Sequence, residues 1–446
     1  MFAIGEIGSY LGCRIKSKMS VSHFAFDSRD IKRGSLFFAL KGYQHDGHTF
    51  LKEVAQKGGV GAVVSRSYVG PDYGLILFHV DNVLEALQML AHQAYLKLNL
   101  FVIGVTGSVG KTTTKDFISS LLQEEYRVAH TPGNHNTQIS LPFVLLNQKQ
   151  SVEILVLEMG MSHPGEIKRL VAIAPPDWGV LTKVSLAHSA EFSSLEAIAQ
   201  EKATLFSHPK TKRAFLHSDT LYFQSICHLE QLKCISSAKL CWADYFLKEK
   251  KHGIVLVERG VESPLFNLPF SAMHLYDNFL LAASVARAKG LSFAEIARAA
   301  QKLVLPPQRL THVDYLGISF IDDSYNASPA SMHACLDCLP QPKAGKKRIG
   351  VLASMQELGI FSECSHYEIG KKASSSLDHL ICLGQEAMPL MKAFKQHGKP
   401  VDFCHNLDEV REALMRIMEP GDVVLIKGSR SHRLWTLLSS LSKGLQ

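Results

Sequence analysis

The chain has 446 residues, which exceeds what one hydrophobic core normally organises, so two or three domains are expected. Hydrophobic residues make up 46% and charged residues 20% of the chain, which excludes an intrinsically disordered protein. The formal net charge of +7 comes from scattered basic residues. It is compatible with small anionic substrates such as nucleotides and gives no support for nucleic-acid binding.

The nine cysteines form no disulfide framework, and Cys335 and Cys338 make a lone CxxC without a second pair for zinc. We interpret Cys335 and Cys338 as packing residues on a helix, and all the cysteines as reduced. The N-terminus lacks the basic and apolar regions of a signal peptide, and no apolar stretch reaches the roughly 18 residues that span a bilayer. These features predict a cytoplasmic protein without membrane insertion. Since no self-complementary apolar surface can be recognised, we expect a monomer.

Residues 1–82 are predicted to form a small α/β domain, because short apolar runs alternate with turns. Residues 83–98 carry apolar side chains at helical spacing and lead into a second domain, predicted over 83–312. Short, continuous apolar runs in that domain indicate parallel strands covered on both faces. These runs lie at 101–105, 154–157 and 179–182, and residues 210–270 are richer in short β segments.

A third domain, predicted over 313–446, repeats strand and helix in the manner of a doubly wound, Rossmann-like sheet. Its boundary is expected near Pro306 and Pro307, which interrupt helix. The predicted strands lie at 318–321, 349–352, 380–383 and 423–426, and a helical pattern covers 407–418.

A glycine-containing loop follows the strand at 101–105 and opens the next helix. Its backbone N–H groups and the helix N-terminus can surround phosphates, Lys111 can reach the terminal phosphates, and Thr112 can offer its hydroxyl to Mg²⁺. The expected nucleotide-binding residues of this loop are Gly107, Ser108, Val109, Gly110, Lys111, Thr112 and Thr113.

Glu158 ends the second apolar strand, at the edge where ligands of parallel sheets bind. It is a candidate Mg²⁺ ligand, and the alternative is a carboxylate that only caps the following turn. His188 is either a metal ligand or an ordinary loop histidine. Asp322 and Asp323 end a buried strand and predict either a nucleotide or metal contact or an Asx-turn. Arg309 either reaches a phosphate across the domain gap or makes a salt bridge.

Lys202 falls within the apolar stripe of a predicted helix that begins with a capping box of Ser193 and Glu196 and runs to about Phe206. A lysine aimed inward must be paired or lose its charge. A neutral buried amine can take up CO₂ and become a carbamate, which is an anionic metal ligand. The alternative is a lysine whose ammonium group reaches solvent at the helix edge.

Four segments occur in the order typical of Mur ligases: TGSVGKTTT (106–114), VLEMG (156–160), SLEAIAQEK (194–202) and DDSYNASP (322–329). Supporting segments are FDSR (26–29), HDGH (45–48), TPGNHNT (131–137), MQELG (355–359) and KGSR (427–430). The chain resembles the MurF type of this family most closely. The resemblance implies three domains: a small N-terminal α/β domain, a central P-loop ATPase domain with a mostly parallel sheet, and a C-terminal Rossmann-like domain.

The resemblance also implies an activity and a set of site residues. The enzyme would join D-alanyl-D-alanine to the terminal carboxylate of UDP-N-acetylmuramoyl-tripeptide through an acyl phosphate, using ATP and two Mg²⁺ ions. Lys111, Glu158, His188 and Lys202 would be catalytic. The implied contacts are Ser28 and Arg29 with the uridine diphosphate; Asn136 and Thr137 with the muramoyl peptide; Thr112 and Glu158 with one Mg²⁺; His188 and carbamylated Lys202 with the second; Arg309 with the γ-phosphate; Asp323 with the ribose; and Asn278 with the adenine.

Several positions depart from the family pattern. Leu275 replaces a usual asparagine of the adenine segment, Val109 a common asparagine of the phosphate loop, and Gln308 a usual glycine. Residues 353–354 are Ala-Ser where Gly-Asp is usual. Two alternatives remain at this stage: a sister ligase that adds one amino acid, similar to MurE or to folylpolyglutamate synthase, and a nucleotide-binding homologue without ligase activity.

Overall fold

The computed structural model describes residues 2–42, 44–186, 189–220, 223–227, 232–238 and 243–443. The described helices and strands form three sheets with helices packed against them, and we call the parts that carry these sheets the first, central and third domains. No helix in the described ranges has both the length and the apolar character needed to cross a membrane.

The helices are α1 (Ile4–Tyr10), α2 (Leu51–Gln56), α3 (Val83–Leu98), α4 (Lys111–Leu122), α5 (Ser140–Leu146), α6 (Glu166–Ile173), α7 (Leu195–Ala203), α8 (Phe223–Cys227), α9 (Met273–Lys289), α10 (Phe293–Ala300), α11 (Pro329–Asp337), α12 (Ser362–Ser376), α13 (Met388–Lys395), α14 (Leu407–Ile417) and α15 (Thr436–Lys443).

The strands are β1 (His23–Ala25), β2 (Ser35–Phe38), β3 (Gly61–Ser65), β4 (Ile76–Val80), β5 (Phe101–Thr106), β6 (Val128–His130), β7 (Ile154–Glu158), β8 (Trp178–Leu181), β9 (Arg213–His217), β10 (Lys233–Ala238), β11 (Tyr245–Lys250), β12 (Gly253–Glu258), β13 (Val261–Glu262), β14 (Thr311–Tyr315), β15 (Ile318–Asp322), β16 (Arg348–Ala353), β17 (His379–Leu383), β18 (Val401–Cys404) and β19 (Val423–Lys427).

Sheet order places the loops that follow β5 and β7 side by side. The first-domain sheet runs β1-β2-β3-β4, and the central sheet runs β13-β12-β11-β10-β9-β8-β5-β7-β6. Strands β5, β7 and β8 pair in parallel, and Val105 lies opposite Glu158. The four central residues of β5 and all of β7 and β8 are buried, as expected for strands covered on both faces.

The third-domain sheet runs β14-β15-β19-β16-β17-β18 and is parallel except for the β14–β15 pair. The sheet begins at Thr311, two residues before residue 313, at which the third domain was predicted to start. The ends of β15 and β19 lie next to each other, with Asp322 opposite Ile426. The mixed α/β architecture predicted from the sequence is therefore confirmed.

The capping box predicted for the helix that carries Lys202 is wrong by one residue. Ser194, not Ser193, is the N-cap, and its hydroxyl accepts a hydrogen bond from the Ala197 N–H. The α-helix ends at Ala203 and continues as a 3-10 turn to Phe206. Phe206 packs on Gly179, where a β-carbon would lie 2.5 Å from the ring, so this glycine allows the end of α7 to pack closely against the central sheet.

Candidate active site

A cleft of about 1080 Å³ lies between the central and third domains. The central domain contributes the loops that follow β5, β6, β7, β8 and β9, together with the start of α9. The third domain contributes residues 323–334, 356–358 and 427–431. Among the sequence-predicted residues, those lining the cleft are Ser108, Val109, Gly110, Lys111, Thr112, Thr113, Asn136, Thr137, Glu158, Asn278, Arg309 and Asp323.

The loop between β5 and α4 needs glycine at two positions. Gly107 has a φ of +152°, and a β-carbon there would lie 1.8 Å from the Thr182 hydroxyl oxygen. Gly110 has a φ of +85°, and its β-carbon would lie 2.4 Å from the Asn278 side-chain oxygen. The Thr182 hydroxyl also donates to the Val109 carbonyl over 2.7 Å. The loop is thus held against β8 and α9, with α4 beginning directly after it.

Two lysine side chains converge beneath this loop. Nζ of Lys111 donates to the Gly107 carbonyl over 2.9 Å, and Nζ of Lys202 donates to the same oxygen over 3.0 Å. Lys202 is only 1% exposed, so it points inward instead of reaching solvent at the helix edge. Burial, reinforced by the Lys111 cation, holds the pKa of Lys202 well below its usual range. Burial also lowers the pKa of Lys111, although the Glu158 carboxylate opposes that shift.

Glu158 is buried and its carboxylate is held from two sides. The Thr112 hydroxyl donates to one oxygen over 2.8 Å, and the Asn136 amide donates to the other over 2.7 Å. The Glu158 N–H donates to the Thr131 hydroxyl oxygen. A hydroxyl and a carboxylate oxygen therefore lie next to each other at the end of the phosphate loop, a donor set that suits Mg²⁺.

Arg309 connects the central domain to the third domain. Its guanidinium donates to the Thr112 hydroxyl over 3.0 Å, and its central carbon lies 4.3 Å from the centre of the Tyr325 ring. The Nε atom of Arg309 is buried and has no hydrogen-bond partner among the described residues. An anionic acceptor, such as a phosphate in the cleft, would complete the hydrogen bonds of the Arg309 guanidinium.

Asp323 is fixed by an ion pair with Lys427, which is buried, and by the Leu310 N–H, which donates to its carboxylate over 3.2 Å. The carboxylate therefore faces both the cleft and the segment that joins the two domains.

Five predicted residues lie away from the cleft wall or outside the described residues. Gly107 and Lys202, which are joined by a hydrogen bond, are not among the residues that line the cleft. The Ser28 hydroxyl donates to Glu53 in the first domain, and the neighbouring Arg29 pairs with Asp27. Neither of these predicted uridine diphosphate contacts is among the residues that line the cleft. His188 lies outside the described residues.

Sequence reasoning missed the support behind Glu158. Lys115 is buried in α4, and its Nζ donates to the Thr131 carbonyl over 2.6 Å and pairs with Asp116. This lysine follows Lys111 by four residues, so it lies one turn further along the same helix. The only signal in the sequence was a second lysine close to the phosphate loop.

Comparison with known proteins identifies related chains over nearly the full length. Residues 20–95 match the catalytic domain of the Mur ligase family, residues 105–286 the Mur ligase middle domain, and residues 308–430 the Mur ligase glutamate ligase domain. The UDP-N-acetylmuramoyl-tripeptide–D-alanyl-D-alanine ligase of Bacillus subtilis (strain 168) is 32% identical over 94% of this chain and 92% of its own length.

Solved structures agree with this result. The crystal structure of MurF from Acinetobacter baumannii superimposes with a TM-score of 0.88 at 25% identity and covers 99% of both chains. MurF ligase from Thermotoga maritima, solved in complex with ADP, has a TM-score of 0.78 at 29% identity, covering 95% of this chain and 98% of that one.

Proposed function

The chain belongs to the Mur ligase family, and from this membership we propose that it joins D-alanyl-D-alanine to the terminal carboxylate of UDP-N-acetylmuramoyl-tripeptide. It is an ATP-dependent ligase that releases ADP and phosphate and acts in peptidoglycan precursor synthesis. The observation that carries the proposal is the convergence of Lys111, Glu158 and Arg309 around Thr112, in a cleft closed on its other side by the third domain.

The reaction needs two transfers at one place. An oxygen of the tripeptide carboxylate attacks the γ-phosphorus of ATP, and the bond to the β-phosphate oxygen breaks to leave ADP. The amine of D-alanyl-D-alanine then attacks the acyl carbon of the acyl phosphate, phosphate leaves, and the amine loses a proton. Lys111 and Arg309 stabilise the charge that spreads over the transferred phosphoryl group, so positioning and electrostatics supply most of the catalysis.

We place a Mg²⁺ ion at the adjacent oxygens of Thr112 and Glu158, where it would neutralise charge on the nucleotide phosphates. Asn136 holds the Glu158 carboxylate in this orientation through its side-chain amide. A second ion is assigned to His188 and a carbamate on Lys202. Within the described residues no cluster of three histidine, cysteine or acidic side chains supplies another site.

The carbamate proposal follows from the crowding of two cations. Lys202 and Lys111 share the Gly107 carbonyl, and the lowered pKa of Lys202 favours the neutral amine that attacks CO₂. The product is a carbamate plus a proton, and it would replace repulsion with an ion pair to Lys111. Incubation with ¹³C-bicarbonate should give a carbamate NMR signal that is absent from Lys202→Met.

The remaining assignments concern substrate contacts. Ser28 and Arg29 bind the uridine diphosphate on the first domain, residues 1–82, and Asn136 and Thr137 lie near the muramoyl peptide. Within the central domain, residues 83–312, Asn278 contacts adenine. Asp323, of the domain 313–446, contacts the ribose. The support is that the last four residues line one cleft. We further propose that the enzyme works as a cytoplasmic monomer without nucleic-acid partners.

The relatives disfavour both the sister ligase and the homologue without ligase activity. Three chains named for the D-alanyl-D-alanine reaction match this one at 31–32% identity over nearly its whole length. The test is ADP release by the purified protein with ATP, Mg²⁺ and UDP-muramoyl-tripeptide, with and without D-alanyl-D-alanine. ADP release should require both UDP-muramoyl-tripeptide and the dipeptide. It should be lost in Lys111→Met but not in Lys251→Met, which changes an exposed lysine. Release driven by a single amino acid would contradict the proposal.

A further inference from the structure

Arg430 is a cation of the cleft wall without an acidic partner in the part of the chain that the structure describes. It lies in the turn that follows β19 and lines the cleft. Its neighbour in the wall, Lys427, is already paired with Asp323, but no carboxylate among the described residues pairs with Arg430. An exposed guanidinium facing a substrate cleft is suited to binding a carboxylate or a phosphate through two parallel hydrogen bonds.

The backbone that carries Arg430 is firmly held. The Gln356 N–H donates to the Ser429 hydroxyl oxygen over 2.8 Å, and Ser354 bonds the His432 ring over 2.7 Å. Gly428 packs so closely on Ala353 that a β-carbon would lie 2.5 Å from the alanine methyl group. The turn is therefore fixed to the end of β16, and the Arg430 side chain starts from a rigid position.

Arg430 contacts the same tyrosine ring as Arg309, which lies at the phosphate end of the cleft. The guanidinium carbon of Arg430 lies 5.1 Å from the centre of the Tyr325 ring, and that of Arg309 lies 4.3 Å from the same point. Arg309 in turn donates to Thr112 beside the phosphate loop. The two guanidinium groups are thus separated by no more than the sum of these two distances.

This upper limit on the separation is long enough for a dipeptide. Two extended residues span about 7 Å, whereas a single amino acid spans about half of that. A dipeptide whose amine lies at the acyl phosphate, near Arg309, is therefore long enough for its carboxylate to reach the Arg430 guanidinium. The same cleft wall includes small side chains that leave room for methyl groups, contributed by Ala327, Ala330 and Ala334.

We propose that Arg430 binds the C-terminal carboxylate of the incoming dipeptide and thereby selects a dipeptide over a single amino acid. This inference rests on the proposed function, because it assigns the position of the second substrate. Arg430 acts as a specificity residue and takes no part in phosphoryl transfer, so the KM for dipeptide should depend on it and the KM for ATP should not.

The test compares D-alanyl-D-alanine with D-alanyl-D-alaninamide, which lacks the carboxylate, in the wild type, Arg430→Gln and Arg430→Lys. For the wild type, the amide should have a KM about 10- to 100-fold higher than the dipeptide, as expected for loss of one charged hydrogen-bonded contact. In Arg430→Gln the dipeptide KM should rise by the same factor, and the two acceptors should become equivalent. Arg430→Lys should retain part of the discrimination.

Arg433→Gln is the matched control, because it removes the same charge from the same turn at a residue outside the cleft wall. It should leave the KM values for the dipeptide, the dipeptide amide and ATP unchanged. The inference is overturned if Arg430→Gln still discriminates against the amide, or if it raises the KM for ATP instead. A wild-type protein that releases no ADP with any dipeptide would overturn the proposed function itself, before Arg430 is in question.

Discussion

The two domain junctions of this molecule are built from different chemistry. The first and central domains share one apolar core, in which side chains from α1, the first sheet and α3 pack with those of α5, α6 and β7. The central and third domains instead meet mainly through polar contacts around a cleft, with a small apolar patch that includes Ala272 and Leu275. The contacts across the cleft include the contact of the Arg309 guanidinium with the Tyr325 ring and the bond from the Ala190 N–H to the Glu357 carbonyl.

This difference indicates which domain moves. A continuous apolar core is costly to separate, whereas polar contacts can be exchanged for water. The connection to the third domain also contains two non-glycine residues with positive φ, Gln308 at +60° and Leu310 at +52°. Such backbone is strained, and strain of this kind clusters at switch regions. We expect the first domain to stay fixed while the third domain opens to admit ATP and closes for catalysis.

The largest effect is expected in the apolar junction. Phe143 is buried, and its ring lies 5.6 Å from Phe38 and 5.1 Å from Phe26 of the first domain. Phe143→Ala should lower the free energy of unfolding by about 3–5 kcal/mol, because it leaves a cavity between the two domains. Urea denaturation measures this value. Leu96→Ala, at an exposed position of α3, should change it by less than about 0.5 kcal/mol. Equal effects of both changes would contradict a shared core.

At the cleft, removal of the Lys202 amine should lower activity while it raises the stability of the fold. Lys202→Met should reduce kcat by about 10²- to 10³-fold, the cost typical of removing one essential electrostatic contact. In CO₂-free buffer the same change should stabilise the fold by about 1–3 kcal/mol near pH 7, because burial of the unmodified lysine costs free energy whether it stays charged or gives up its proton.

The pH dependence of that gain has a defined sign. Burial lowers the folded-state pKa of Lys202 below 10.5, its ordinary value in the unfolded chain. The unfolded state therefore binds more protons between the folded-state pKa and pH 10.5, and wild-type stability rises through that window. The advantage of Lys202→Met should shrink as pH rises and vanish above it. An advantage that grows with pH would show that Lys202 is charged through a favourable pairing.

A smaller effect is expected from the polar clamp of the fixed junction. The Asn147 side chain accepts from the Phe24 N–H over 2.9 Å and donates to the Phe24 carbonyl over 3.0 Å. Asn147→Ala should cost about 1–3 kcal/mol in unfolding free energy, because two backbone groups lose their partners. Asn147→Asp keeps the acceptor and should recover part of the loss. Equal unfolding free energies of the two variants would show that the acceptor of Asn147 does not stabilise this junction.

The smallest predicted effect separates contact from backbone strain at the moving junction. Gly359 has a φ of +54°, and a β-carbon there would lie 2.8 Å from the Ala190 Cα. Gly359→Ala should cost about 1–2 kcal/mol in stability and should also lower kcat/KM roughly tenfold, because the third domain cannot close fully.

Gly345→Ala is its control, since Gly345 has a φ of +75° and open space around it. It should show the same loss of stability with normal kcat/KM. Equal kcat/KM in the two variants would mean that the Ala190 contact has no role in closure.

The sequence was sufficient where local pattern and chemistry agree. Helix α3 was predicted with its observed bounds, Val83–Leu98, because its apolar spacing is regular, and the structure adds that Asn82 caps its start. For Lys202 the apolar stripe left two orientations open, inward or toward the helix edge, and the structure shows that the side chain is buried. Strand β14 was missed because its side chains are alternately half-buried and exposed, without the apolar run of a central strand.

Contacts across long sequence separations could not be predicted. Nothing local indicates that the Asn136 amide orients the Glu158 carboxylate, or that Arg309 and Arg430 both contact the Tyr325 ring. The shift of the α7 cap has a simple cause, since adjacent serines offer the same hydroxyl and only the course of the preceding loop decides between them. Gln308 stands where the family usually has glycine, and its positive φ explains that preference.

The most direct test of the central claim follows the oxygen atoms of the tripeptide carboxylate. If that carboxylate attacks the γ-phosphorus in this cleft, and the dipeptide amine then displaces phosphate, one carboxylate oxygen must leave with the phosphate. UDP-muramoyl-tripeptide labelled with ¹⁸O at both carboxylate oxygens should give phosphate carrying one ¹⁸O and an amide retaining the other, as read by mass spectrometry. Phosphate without label, at normal product yield, would contradict the acyl phosphate route.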